Sequence, residues 1–261
     1  MFPFGLRAEY EERAARVRAQ FTPSAPITED ELASLPAPVQ RYLRFVGVVG
    51  RPHVGAFRAR FTGRFRGGPQ APWMSFKGEQ HSVMHPPTRL FFIRAKMRGL
   101  PIDAFHVYDA HGARMRVRLL GLIPVVDAHG PEFTRGETVT LFNDMCIMAP
   151  AALVDPSIQW QVHDERNVEA SYTNGPNTIR AVLVFDETNA LVDFWSDDRP
   201  ALAPDNVTLV PQRWSTPVGD YRDQGGYRLV SRGEARYAAP SGAYPYIQFD
   251  SLEISYDLQA S

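Results

Sequence analysis

Residues 54–66 read VGAFRARFTGRFR. Phe57, Ala59, Phe61, Gly63 and Phe65 alternate with Arg58, Arg60, Thr62, Arg64 and Arg66. A period of two sends successive side chains to opposite faces, so this stretch predicts a half-buried strand with one aromatic and one cationic face. The arginine stripe has two readings. One is a solvated sheet face paired with acids on neighbouring strands, such as Glu79. The other is an anion site.

The same period spreads outward from this strand. WMSFKGEQHSVM (73–84) and RLFFIRAKM (89–97) predict strands divided by HPPT, and AFHVYD (104–109) and RMRVRLLG (114–121) a hairpin around DAHG. Further on come IQWQVH (158–163), VEASYT (168–173), TIRAVLVFD (178–186) and ALVDFWSD (190–197). Their turns are DERN, NGPN and DETN, rich in residues that accept turn geometry. VTLVPQRWSTP (207–217), YRLVSRGEARYA (227–238) and YIQFDSLEISYDL (246–258) predict three longer strands. Regularly spaced strands joined by hairpin-length turns predict a mainly β fold, an open or incomplete antiparallel β-barrel.

Helices are expected at two places. Leu6, Tyr10, Ala14, Val17 and Phe21 form a narrow apolar seam at helical spacing. Thr28 and Glu31 have the spacing of a capping box. A second short helix follows Pro36, with Val39, Tyr42, Leu43 and Val46 on one face and Gly47 as its stop. Residues 1–50 are therefore expected as a helical segment packed on a single β domain over 51–261. The second place is TLFNDMCIMAPAALVD (140–155), inside a helical stretch at 137–154 that interrupts the strands. Phe142, Met145, Cys146, Ala149 and Leu153 share one side, and Pro150 is expected to open a new short turn.

Composition sets the outer limits. The chain has 261 residues, 44% apolar and 22% charged, with a formal net charge of -1. That is ordinary globular usage, with no basic excess for nucleic acid. Its lysines are Lys77 and Lys96, and its other long cationic side chains are arginines. A single cysteine excludes an intramolecular disulfide and a multi-cysteine metal site. No apolar run approaches the ~20 residues of a membrane span, and the first residues do not read as a secretory signal. The expectation is a soluble, cytoplasmic protein.

Chemistry is sparse by motif. Cys146 falls mid-helix on an apolar face with no histidine near it in sequence, so it reads as core or pocket wall, not as a nucleophile. His106, Asp109 and His111 cluster in sequence, but without the spacing of a zinc site, and the histidines read as turn or surface residues. No serine lies in a nucleophile elbow. No metal and no cofactor is expected.

Several blocks taken together carry a resemblance: LPAPVQRYLRFVG (35–47), residues 73–97, GLIPVV (121–126), LFNDMCIMAPAALVD (141–155) running on to IQWQVHDE, and YPYIQFDSLEISYDL (244–258). The set resembles an uncharacterised bacterial family whose members are similar in architecture to the lipoprotein carriers LolA and LolB. The resemblance implies a curved antiparallel sheet around an apolar cavity plugged by helices. It supplies no catalytic residues. Membrane segments are common at the N-terminus of that family, whereas the helix at 6–21 here is polar on most of its surface.

The expected function is binding of an apolar or amphiphilic small molecule, of lipid or fatty-acyl type, between the concave sheet and the mid-chain helix. The expected walls are Phe57, Phe61, Phe76, Met145, Met148, Trp160, Trp195 and Trp214. An enzyme using the same cavity, with Asp197 or His163 at its mouth, and a protein-interaction scaffold are the alternatives.

Overall fold

The computed structural model describes residues 5–18, 25–240 and 242–256. It opens with α1 (Leu6–Arg18), α2 (Glu29–Ala33) and α3 (Ala37–Val46). The capping box forms as its spacing requires, with the Thr28 hydroxyl accepting from the Glu31 N–H and the Glu31 carboxylate accepting from the Thr28 N–H. Gly47 ends α3 at φ 85°, a left-handed conformation that glycine adopts without a Cβ clash.

Six strands follow as a meander: β1 (Ala56–Phe65), β2 (Met74–Val83), β3 (Thr88–Met97), β4 (Leu100–Asp109), β5 (Gly112–Leu119) and β6 (Ile123–His129). Then come α4 (Pro131–Met148) and a 3-10 turn at Pro150–Val154. A second meander has β7 (Ile158–Val162), β8 (Asn167–Asn174), β9 (Asn177–Phe185) and β10 (Leu191–Ser196). The short strands β11 (Ala201–Leu202), β12 (Leu209–Val210) and β13 (Trp214–Ser215) lead to β14 (Val218–Gln224), β15 (Tyr227–Ala239) and β16 (Gly242–Ser255).

The main sheet has the order β6-β5-β4-β3-β2-β1-β16-β15-β13-β10-β9-β8-β7, with β14 paired to β15, and every pairing is antiparallel. The last strand, β16, joins the two meanders by pairing with β1. The chain is thus mainly β, an open half-barrel. Its two terminal strands, β6 and β7, are joined in sequence by α4, which covers the concave face. Among the described residues no helix is long and apolar enough to cross a membrane.

Three expectations need correction. Residues 207–217 do not form one long strand. Pro211 has no N–H to give to a ladder, and the segment divides into β12, a loop and β13. Strands β6 and β14 were not anticipated. The exposed apolar residues of β6 and the charged ones of β14 mask any alternation. α4 begins at Pro131, ahead of the expected 137, with Pro131 at the first-turn position where a missing N–H does no harm.

The alternation of β1 sorts the layers. Phe57, Ala59 and Phe61 are buried under the concave face. On the opposite face α1 packs Leu6, Tyr10, Ala14 and Val17 against Ala56, Leu90, Phe92 and Phe105. Phe21 lies outside the described residues. Arg58, Arg60 and Arg64 project on that outer face too, whereas Arg66, just past the end of β1, borders the cavity. Arg58 is paired with Glu79, Arg60 lies 4.0 Å from the same carboxylate, and Arg64 and Arg66 stack over Trp73 at 5.0 and 4.6 Å. Gly63 interrupts the phenylalanines where β1 bulges against β16. A Cβ there would lie 2.0 Å from the Gln248 carbonyl oxygen, so only glycine fits.

Candidate functional site

Cross-strand register builds one wall of the cavity. Phe61, Gly78, Ile93, Ala104, Val117 and Val126 stand opposite one another across β1 to β6. Gly78 is the gap in that row, and the Phe61 ring fills it; a Cβ on residue 78 would lie 2.0 Å from Phe61 Cε2. The Phe61 ring stacks on Phe91 at 5.1 Å. Above this wall lies α4, and between them is a cavity of about 560 Å³ whose surface is mostly apolar. That volume falls within the ~300–1,000 Å³ range of small-molecule sites.

Three of the expected wall residues line it: Phe61, Met148 and Trp214. The other five do not. Phe57 and Phe76 belong to the same face of the sheet but are packed into its core. Met145 lies on the side of α4 turned away from the cavity. Trp160, on β7, packs towards Phe142, with ring centres 6.5 Å apart. Trp195 and Trp214 stand on neighbouring strands one pairing position apart, Trp195 opposite Ser215 and Ser196 opposite Trp214, so their side chains take opposite faces. Trp195 lies half-buried under the Arg213 guanidinium, 3.9 Å from its ring centre.

The polar part of the cavity was not foreseen. The side of α4 that faces it carries Phe133, Glu137, Thr140, Asp144, Ile147 and Met148, a helical face that includes two carboxylates. Register places Gln80 and His106 in one cross-strand row, separated by Phe91, with Arg89 two residues along β3. Arg89 Nε donates to Asp144 Oδ2 at 2.6 Å, and Gln80 Nε2 donates to the same oxygen at 2.7 Å. Arg89 also reaches His106 Nδ1 at 3.0 Å. From the loop after β10, Arg199 donates to Glu137 Oε1 at 3.0 Å and to Thr140 Oγ1 at 2.7 Å, and it also contacts the Tyr237 hydroxyl. Its guanidinium lies 4.7 Å from the Trp214 ring centre.

Charge is balanced inside this network: two guanidiniums face two carboxylates. Burial pushes the His106 imidazole down to about 4, so it is neutral at pH 7. Burial alone would raise Glu137, but Arg199 offsets it and holds the carboxyl below its ordinary range. Burial raises Asp144, against the pull of Arg89 and Gln80. Burial also opposes the charge on Arg199, which Glu137 more than restores. A sequence signal for this cluster did exist: Glu137 and Asp144 are seven residues apart, two turns of one helix face.

The remaining expectations sort simply. Cys146 is fully buried on the far side of α4, and burial pushes its thiol well up. His106 and His81 are buried and not surface residues; the His81 Nδ1 and the Tyr10 hydroxyl are 2.8 Å apart on the face under α1. Asp109 is a turn residue, accepting from the His111 N–H at 2.8 Å. Asp197 and His163 are not at the cavity mouth: Asp197 pairs with Arg213 at 2.8 Å and His163 lies 3.5 Å from Glu169.

No curated protein matches the chain. Among solved structures it is similar to a DUF1329 family protein from Desulfovibrio piger, at 12% identity over 91% of this chain and 96% of that one, with a TM-score of 0.45. It is also similar to a LolA superfamily protein from Nitrosomonas europaea, at 9% identity over 84% of this chain and 90% of that one, with a TM-score of 0.40. The model of DUF6544, a family of unknown function, matches residues 25–249, most of the chain, and the protein belongs to that family.

Proposed function

We propose that this protein binds an apolar or amphiphilic small molecule of acyl-chain type in the cavity between the sheet and α4. The observation that carries this reading is the cavity itself: about 560 Å³ enclosed by aromatic, methionine and aliphatic side chains, with charged groups gathered under α4. An apolar wall with a few fixed polar groups is the usual form of a small-molecule site. Native mass spectrometry with lipid extraction on freshly purified protein, backed by displacement of a fluorescent fatty-acid analogue, tests it. Binding at micromolar levels that is lost in Met148→Glu supports the proposal. No co-purifying ligand, no analogue binding and no effect of Met148→Glu would overturn it.

One observation favours a second reading, an enzyme using the same cavity. His106 Nε2 lies 3.4 Å from Glu137 Oε2, a pair of titratable groups within reach of a bound molecule. The two readings separate by the fate of the ligand. A carrier returns the bound molecule with unchanged mass, whereas an enzyme releases a product.

A further inference from the structure

Resting on the binding reading, the cavity's polar end restricts what the head of the ligand is. Three buried polar atoms there have no hydrogen bond: Gln80 Oε1, His106 Nε2 and Glu137 Oε2. A buried polar group left unpaired is destabilising, and native proteins leave few of them. The tautomer of His106 follows from its neighbour. An arginine N–H can only donate, so Nδ1, 3.0 Å from Arg89 Nη1, accepts, and the proton of the neutral ring resides on Nε2. That N–H faces Glu137 Oε2 across 3.4 Å, longer than a normal hydrogen bond. A donor and an acceptor thus stand side by side, both unpaired. A hydroxyl oxygen seated about 2.8 Å from each would close a triangle on that base, accepting from His106 and donating to Glu137.

We propose that the ligand is a neutral, hydroxyl-bearing amphiphile, such as a monoacylglycerol or a long-chain alcohol, with its hydroxyl held between His106 and Glu137 and its chain in the apolar cavity. A carboxylate or phosphate head does not fit. The guanidinium of Arg89 is already matched by Asp144 and that of Arg199 by Glu137, and Glu137 Oε2 would meet an anion oxygen with like charge. An ammonium head could donate to Glu137, but it has nothing to accept the His106 proton, and two guanidiniums stand close by. The remaining acceptor, Gln80 Oε1, suits a second hydroxyl, which favours a diol head over a simple alcohol.

The test compares chain-matched ligands on the whole protein: 1-monopalmitoylglycerol, hexadecanol and palmitate, each displacing a fluorescent acyl analogue at neutral pH. The expected result is at least tenfold tighter binding of the monoacylglycerol than of palmitate. In His106→Phe that preference should vanish, with a far-ultraviolet spectrum and a single cooperative unfolding transition showing that the variant is folded; a preference that persists in the folded variant overturns the assignment. Equal affinity, or a preference for palmitate, overturns the headgroup assignment and leaves the binding proposal standing. Failure of all three to bind overturns both.

Discussion

The Tyr42 hydroxyl donates to the backbone carbonyl oxygen of Cys146, 2.7 Å away, across 104 positions of sequence. In an uninterrupted helix that carbonyl would accept from the N–H four residues on. That residue is Pro150, which has none. α3 therefore supplies from outside the donor that the sequence of α4 withholds. Two residues later, the Tyr256 hydroxyl donates to the Met148 carbonyl oxygen at 2.7 Å. The helix that roofs the cavity is pinned at its C-terminal end by tyrosines from α3 and from the residue following β16.

Replacing Tyr42 by Phe removes this donor together with the contact between the Tyr42 and Tyr221 hydroxyls. The Cys146 carbonyl is then buried without a partner, so unfolding free energy in urea should fall by ~1–3 kcal/mol. The far-ultraviolet spectrum should keep its β character. An unchanged midpoint would show that the bond contributes nothing to holding α4.

The Cys146 thiol is fully buried, and burial keeps it protonated. Its titration with a thiol reagent should be slow in the native protein and complete only on unfolding. Cys146→Ala should destabilise by about 1 kcal/mol or somewhat more, through the lost packing of one sulfur. Immediate reaction at neutral pH would contradict both statements.

Arg89 and Asp144 are both almost fully buried and 2.6 Å apart. Removing either one leaves the other charge uncompensated, so Arg89→Met and Asp144→Leu should each lower stability by ~3–5 kcal/mol. The double variant removes both charges and should be more stable than either single one. Denaturation curves for the four proteins give the coupling directly, and simple additivity would refute it.

His106 makes stability fall towards acid. Its folded value is held down to about 4 from an ordinary 6.5, so between these values the unfolded chain binds the proton more readily. The contribution is complete above pH 6.5 and is lost as pH drops towards 4, amounting to roughly 3 kcal/mol. Glu137, held low, adds a loss of the same sign below its ordinary 4.5, whereas Asp144, held high, acts in the opposite sense. Stability measured against pH should decline below 6.5 in the wild type. The part of that decline between 6.5 and 4 should disappear in His106→Phe.

The sequence by itself determined most of the sheet, the caps and the buried thiol. Strand alternation, the Thr28–Glu31 box, the Gly47 stop and the Pro150 break are local signals, each complete within a few residues, and each reappears in the fold. The polar end of the cavity is a different kind of fact. Gln80, Arg89 and His106 come from three strands, Glu137 and Asp144 from a helix, and Arg199 from a loop, and it takes strand register together with the packing of α4 and that loop on the sheet to bring them together. On the α4 helix, sequence pointed to the apolar side with Met145 and Cys146, and that side is indeed buried. It packs into the protein away from the cavity, while the side that faces the cavity carries the carboxylates. Likewise, Trp195 and Trp214 read alike as aromatic wall residues, but a single step of register sends them to opposite faces. Hydrophobic periodicity marks which side chains leave water. It does not tell a core from a cavity wall, because both are dry, and only the tertiary arrangement decides which buried side chains meet each other and which meet empty space.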